Sequence, residues 1–268
     1  MGAGIAQVMA QHGLAVALYD SSSEALARGR DGIETRLRRA AERGQLAPAE
    51  MAAALARLRP AGLDEAAQAE LVIEAVPEKF ELKRELFSRL DQMAPPAALL
   101  ASNTSSISLT ALAAATRRAP QCIGMHFMNP VPVMPLVEVV RGLETSEPTL
   151  AAIQALARRL EKTPVVVRDF PGFVSNRVLM PMINEAVYCV MEGVAEPEAV
   201  DAVMKLGMRH PLGPLALADL IGLDVCLDIL QVLQRDFGDS KYRPCPLLRT
   251  LVAAGRLGRK SGRGFYQY

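Results

Sequence analysis

Small and apolar residues recur at helical spacing over residues 1–12 (MGAGIAQVMAQH), and Gly13 stands where such a helix would be capped. A short apolar run at 14–20 (LAVALYD) then reads as a strand ending in Asp20. A long helical stretch follows from Ser22 to Arg43. Gly44 and Pro48 interrupt it, and a second helix is predicted over 49–58. This pair is long for a simple crossover, so 22–58 reads as a helical excursion from the sheet. Beyond it, apolar runs of strand length fall at 71–76 (LVIEAV), 98–102 (ALLAS), 122–127 (CIGMHF), 136–141 (LVEVVR) and 163–169 (TPVVVRD). Helical stretches at 78–93, near 108–116 and at 147–161 lie among them. Strands interleaved with helices predict an α/β domain around a mainly parallel sheet of Rossmann type.

The pattern changes at Pro171-Gly172, and no convincing strand follows. Helices are expected at 173–193, 197–206, 215–236 and 246–254, rich in Leu, Val and Met. The chain is therefore read as two domains, 1–168 and an all-helical 169–268. The second carries more apolar surface than about 100 residues bury alone, which points to a helical dimer interface.

Composition narrows the function classes. Half of the 268 residues are apolar, 22% are charged, and the net charge is +1. That balance fits a soluble globular protein with no global field for nucleic acid or an anionic membrane. With no Trp and 4% aromatics, base-stacking platforms are scarce. No apolar run approaches the length of a membrane span, and no secretory leader is expected. Cys122, Cys189, Cys226 and Cys245 lie too far apart for a close ligand pair, so no metal is expected. Reduced, buried thiols suit a cytoplasmic protein.

A helix that feeds a strand ending in an acid is the back half of a dinucleotide-binding unit. Gly2 then matches the last glycine of the phosphate turn, and Asp20 the acid that accepts the adenosine ribose hydroxyls. The first strand and the two earlier glycines would precede Met1, so Met1 is either an internal methionine or the start of a truncated form. A truncated form is expected to fold poorly and to bind NAD weakly. Between 28 and 43 six arginines face three acids. They make either a solvated helical face or a patch for an anionic ligand such as the phosphates of coenzyme A.

Of three histidines, His12 at a helix end and His210 before Pro211 have structural explanations. His126 ends a strand, where open α/β sheets gather their ligands, and Glu138 lies twelve residues on, inside the next apolar strand. A carboxylate there is costly unless paired. If the turn through Pro130, Pro132 and Pro135 folds the strands side by side, Glu138 reaches His126. The carboxylate would fix the imidazole's tautomer and favour its charged form, which suits proton exchange with a substrate hydroxyl. A purely structural His–Glu pair is the alternative. In 101–108 (ASNTSSIS), Asn103, Ser105 and Ser106 follow a strand and could bond a cofactor ribose, an amide or a substrate oxygen, or simply make a turn and helix cap. Asn176, in PGFVSNR, could cap a helix or face an interdomain cleft.

ASNTSSIS, HFMNPVPVMPLVE, PGFVSNR, MKLGMRHPLGPLALADLIGLD and the terminal GRKSGRGFYQY together resemble the 3-hydroxyacyl-CoA dehydrogenases, in particular their short bacterial form. The resemblance runs over the whole chain. It implies an NAD-binding Rossmann domain, a helical domain that dimerises, and oxidation of a short (S)-3-hydroxyacyl-CoA. It makes His126 the acid/base and Glu138 its partner, with Ser105 and Asn176 beside the substrate oxygen and the nicotinamide. It matches Asp20, Glu78, Lys83, Asn129 and Lys260 to NAD contacts, and Arg36 and Arg43 to coenzyme A contacts. Two other readings stay open: a non-enzymatic relative that only binds, and the same fold acting on a free hydroxy acid or sugar acid.

Overall fold

Small side chains let the first helix be packed closely. The computed structural model describes residues 1–268. In α1 (Gly2–Gln11) the residues from Ile5 to Ala10 are buried. Ala6 and Ala10 share a cluster with Ile33 and Leu37. After α1 come β1 (Val16–Leu18), α2 (Ser23–Glu42), which carries Ile33 and Leu37, and α3 (Pro48–Ala56). The sequence pattern extended this last helix to 58, but Leu58 begins a strand, β2 (Leu58–Pro60), parallel to β1. Pro60 disfavours helical backbone at the residue before it, and an extended Leu58 drops its side chain into the same cluster.

A short α4 (Leu63–Ala66) leads to β3 (Leu71–Glu74), α5 (Phe80–Met93), β4 (Leu99–Ser102), α6 (Leu109–Ala113), β5 (Cys122–Phe127), β6 (Leu136–Arg141), α7 (Glu147–Arg159) and β7 (Thr163–Arg168). These strands form one sheet in the order β3-β4-β5-β6-β7. All its neighbours are parallel except β5 and β6, which run antiparallel. The β1–β2 pair is a separate sheet, so β1 and β3 share no ladder. Both nevertheless pack on one core: Val16, Leu71 and Ile73 lie against Ile5, Val8, Met9, Ile123 and Met125.

The C-terminal end of α5 is closed by Arg118. Its guanidinium donates to Asp91 O at 2.9 Å, Ala94 O at 3.1 Å and Pro95 O at 2.6 Å, and its Nε to Asp91 Oδ1 at 2.8 Å. Asp91 O is one of the carbonyls a helix end leaves unpaired, and Ala94 and Pro95 lie just beyond that end. Burial works against the Asp91 carboxylate, but the bonds from Arg118 and Arg117 outweigh it and hold the carboxyl below the usual aspartate range. A lowered folded value means that the stabilisation is complete above the unfolded pKa and is lost as pH falls through the folded one. Asp91→Asn is therefore expected to lower the thermal midpoint at neutral pH, with the gap to wild type closing in acid. A gap constant with pH would exclude this origin.

The chain divides into two units, Met1–Asp169 and Phe170–Tyr268. The second contains α8 (Ser175–Met191), α9 (Pro197–Gly207), α10 (Pro214–Ile221), α11 (Leu223–Phe237) and α12 (Pro246–Ala253). Met180, Ile183, Leu215, Leu223, Leu230 and Leu248 are among its core residues. The single helix expected over 215–236 is in fact two, broken at Gly222 with φ +107°. A Cβ there would come within 2.9 Å of Asp224 Oδ1, so both conformation and space require glycine. The buried Asp219 holds the C-terminal tail by accepting from Phe265 N–H at 3.0 Å and Tyr266 N–H at 2.9 Å.

Candidate active site

The one antiparallel ladder of the main sheet sets its chemistry. In the β5–β6 register His126 lies directly opposite Glu138, and Gly124 opposite Val140. Directly opposed residues in such a pair have neighbouring side chains on one face. His126 Nδ1 and Glu138 Oε2 are 2.7 Å apart, and both residues are buried. Two residues back, a Cβ on Gly124 would stand 2.6 Å from Val140 Cβ, so a larger residue there would push the strands apart. The loop between the strands is pinned by the buried Lys162, whose Nζ donates to Val131 O and Met134 O, each at 2.8 Å. Burial pushes the Lys162 pKa below the usual lysine value.

The turn after β4 is gathered by a single oxygen. Glu78 Oε1 accepts from Thr104 Oγ1 at 2.5 Å, Ser105 N–H at 2.9 Å, Ser106 N–H at 3.0 Å, and the Ser106 and Ser105 hydroxyls at 3.2 and 3.3 Å. Burial raises the Glu78 pKa, but the Lys83 charge and these donors outweigh it and hold the carboxyl below the ordinary range. The side-chain oxygen of Asn103 accepts from Phe127 N–H at 2.9 Å, tying the ends of β4 and β5 together.

Lys83 was expected at the cofactor surface. Its side chain is 1% exposed, and Nζ lies 2.6 Å from Glu74 Oε1, 3.1 Å from Val76 O and 3.3 Å from Glu78 Oε2. These contacts place the Lys83 charge beside Glu78, so Lys83 braces that carboxylate. Glu74, Ser102 and Thr104 belong to the same network and escaped sequence reasoning. For Glu74 the signal was present: an acid inside the apolar run LVIEAV, the feature that marked Glu138.

Several expected cofactor and substrate residues lie apart from this cluster in the chain. Asp20 follows β1, is exposed, and accepts from Ser22 N–H at 2.9 Å. Gly2 starts α1, whose first turn has neither a capping side chain nor an acidic residue. The Gly4 and Ile5 amides donate to Met1 O, which leaves the Gly2 and Ala3 amides at the helix start; with the Asp20 carboxylate these are donors and an acceptor of the kind a pyrophosphate and a ribose diol require, so this end of the unit fits a dinucleotide. Asn129 is exposed just beyond β5. Arg36 and Arg43 lie seven residues apart on α2 and at its end, hence on one face, and neither is in an ion pair with a carboxylate. Arg36 Nε donates to Gln7 Oε1 of α1 at 2.7 Å. In the second unit, Lys260 Nζ pairs with Asp224 Oδ2 at 2.6 Å, and Asn176 is buried in the first turn of α8.

Comparison with known proteins accounts for the whole chain. Residues 1–170 match the family profile of the 3-hydroxyacyl-CoA dehydrogenase NAD binding domain, and residues 172–268 that of the 3-hydroxyacyl-CoA dehydrogenase C-terminal domain. The chain belongs to the 3-hydroxyacyl-CoA dehydrogenase family. It is 58% identical over 269 aligned residues to the probable 3-hydroxybutyryl-CoA dehydrogenase of Bacillus subtilis (strain 168), covering 100% of this chain and 94% of that protein. It is 41% identical to the mitochondrial hydroxyacyl-coenzyme A dehydrogenase of Sus scrofa, covering 100% and 88%. Among solved structures, the (S)-3-hydroxybutyryl-CoA dehydrogenase of Ralstonia eutropha superposes with a TM-score of 0.96 at 50% identity, covering 100% of this chain and 95% of that one. This dehydrogenase is thus an NAD-binding member of its family, with the Rossmann-like sheet and helical second part expected from its sequence.

Proposed function

We propose that the protein oxidises short (S)-3-hydroxyacyl-CoA esters reversibly to 3-oxoacyl-CoA with NAD, 3-hydroxybutyryl-CoA being the reference substrate. The observation that carries this reading is the buried His126–Glu138 pair at 2.7 Å, fixed across one ladder in a chain of this family. Glu138 engages Nδ1, so proton exchange with the substrate falls to Nε2. His126 takes the proton of the 3-hydroxyl as a hydride leaves C3, and returns it to the 3-oxygen in the reverse direction. Glu138 stabilises the imidazolium formed in between. When bound, NAD supplies the acceptor for that hydride.

The Ser105 hydroxyl and the Asn176 amide orient the substrate oxygen, an assignment that rests on their motifs. Asp20 receives the adenosine ribose and repels a 2′-phosphate, which favours NAD over NADP. Glu78, Asn129 and Lys260 complete the cofactor contacts. Val203, Leu206, Met208 and Leu220 are exposed apolar residues of the second unit, with Leu206 83% exposed, and they supply the face for a homodimer. No helix is long and apolar enough to cross a membrane, and the four cysteines are free thiols, which supports a reducing, cytoplasmic setting.

The test is loss of NADH absorbance with acetoacetyl-CoA. Turnover of a free 3-oxo acid with none of the thioester would reject the coenzyme A ester as substrate, and no turnover of either would leave a binding protein. The Arg36→Ala/Arg43→Ala variant is expected to raise KM for acetoacetyl-CoA about 5- to 30-fold at low salt, with kcat nearly unchanged, because two charge-assisted contacts to phosphate are lost. An unchanged KM would remove these arginines from the coenzyme A site.

A further inference from the structure

Glu74 takes no part in the chemistry above, yet its carboxylate is fully enclosed, with a side-chain exposure of 0%. Oε1 accepts from Val76 N–H and from Lys83 Nζ, each at 2.6 Å, and Oε2 accepts from the Ser102 hydroxyl at 2.5 Å. A buried carboxylate–ammonium pair commonly adds no stability over an apolar pair of the same volume. Stability alone therefore does not account for two charges at this place.

Geometry does. Two arms leave Glu74, and both end on the same turn. One runs through Ser102, its direct neighbour in the β3–β4 register, whose hydroxyl oxygen accepts from Thr104 N–H at 3.1 Å. The other runs through Lys83, 3.3 Å from Glu78 Oε2, to the same carboxylate's Oε1, which collects Thr104, Ser105 and Ser106. The Lys83 charge helps keep Glu78 ionised, and an ionised carboxylate is what can accept from so many donors at once.

We propose that Glu74 is a positioning residue for the dehydrogenase reaction, setting the aim of Ser105 through both arms. This rests on the reading of Ser105 as the hydroxyl beside the substrate oxygen. Glu74→Gln keeps the shape but removes the charge that holds Lys83. Its kcat with acetoacetyl-CoA is expected to fall about 10- to 100-fold, the usual cost of misplacing a group near the reacting atoms. KM for acetoacetyl-CoA should change by less than about threefold, since the coenzyme A contacts lie elsewhere. Ser102→Ala, which cuts one arm only, should lower kcat about fivefold, as expected for one lost hydrogen bond.

The double variant Glu74→Gln/Lys83→Met separates positioning from folding. With no unpaired buried charge it should regain the thermal midpoint lost in Glu74→Gln, yet remain slow. Recovery of kcat together with the midpoint would overturn the proposal, as would a folded Glu74→Gln enzyme with wild-type turnover. Ser105→Ala is measured alongside. If it turns over like wild type, the reading of Ser105 fails. If it is slow while both Glu74 variants are fast, that reading stands and only the role of Glu74 is lost.

Discussion

The His126→Gln variant is expected to reduce acetoacetyl-CoA about 10²- to 10⁴-fold more slowly than wild type, the contribution usual for a positioned general acid. Glutamine has no proton to give or take near neutral pH. Its amide N–H can still donate to Glu138, so the buried carboxylate keeps a partner and the hairpin keeps its fold. The loss should therefore fall on kcat and kcat/KM equally, with KM for both substrates little changed. Circular dichroism checks the fold, and single-turnover NADH oxidation checks the chemical step. A variant within tenfold of wild type in that step would remove His126 from the proton transfer and leave the pair as a structural bond.

The second large effect is on stability. Lys83→Met alone is expected to destabilise the protein by about 3–5 kcal/mol, the cost of breaking a buried ion pair from one side. Methionine fills most of the lysine volume, so the loss comes from Glu74, left charged among apolar neighbours with only Ser102 and Val76 as donors. Glu78 loses its neighbouring cation in the same step. Urea unfolding followed by circular dichroism reads the effect as a lower midpoint at unchanged slope. A midpoint equal to that of wild type would mean that the ion pair contributes no net stability. It would also mean that the rise predicted from Glu74→Gln to the double variant has another source.

How legible these features were in the sequence depends on what each residue's neighbours are. The His126–Glu138 pair could be read because both residues interrupt apolar strands, and the prolines between them allow only a short connection. Glu74 interrupts β3 in the same way, but its partners are Lys83, in a helix, and Ser102, on another strand, and no local spacing links the three. The burial of Lys83 was hidden for a related reason: only the fold reveals the Glu74 carboxylate beneath it. The end of α3 and the break at Gly222 were missed because a buried Leu58 and a glycine between two apolar runs both satisfy a helical pattern. The decision there belongs to Pro60 and to the crowding around Asp224.

The facing of His126 and Glu138 has a consequence for how this scaffold can change. Their separation is dictated by the backbone ladder, not by the eight residues, 128–135, that join the two strands. A slip of one residue in pairing would send the two side chains to opposite sides of the sheet, so the proton machinery is either kept whole or lost at once. The connecting segment is held by separate means, through the Lys162 bonds to Val131 O and Met134 O, so its exposed positions can change while the acid and its partner stay in place.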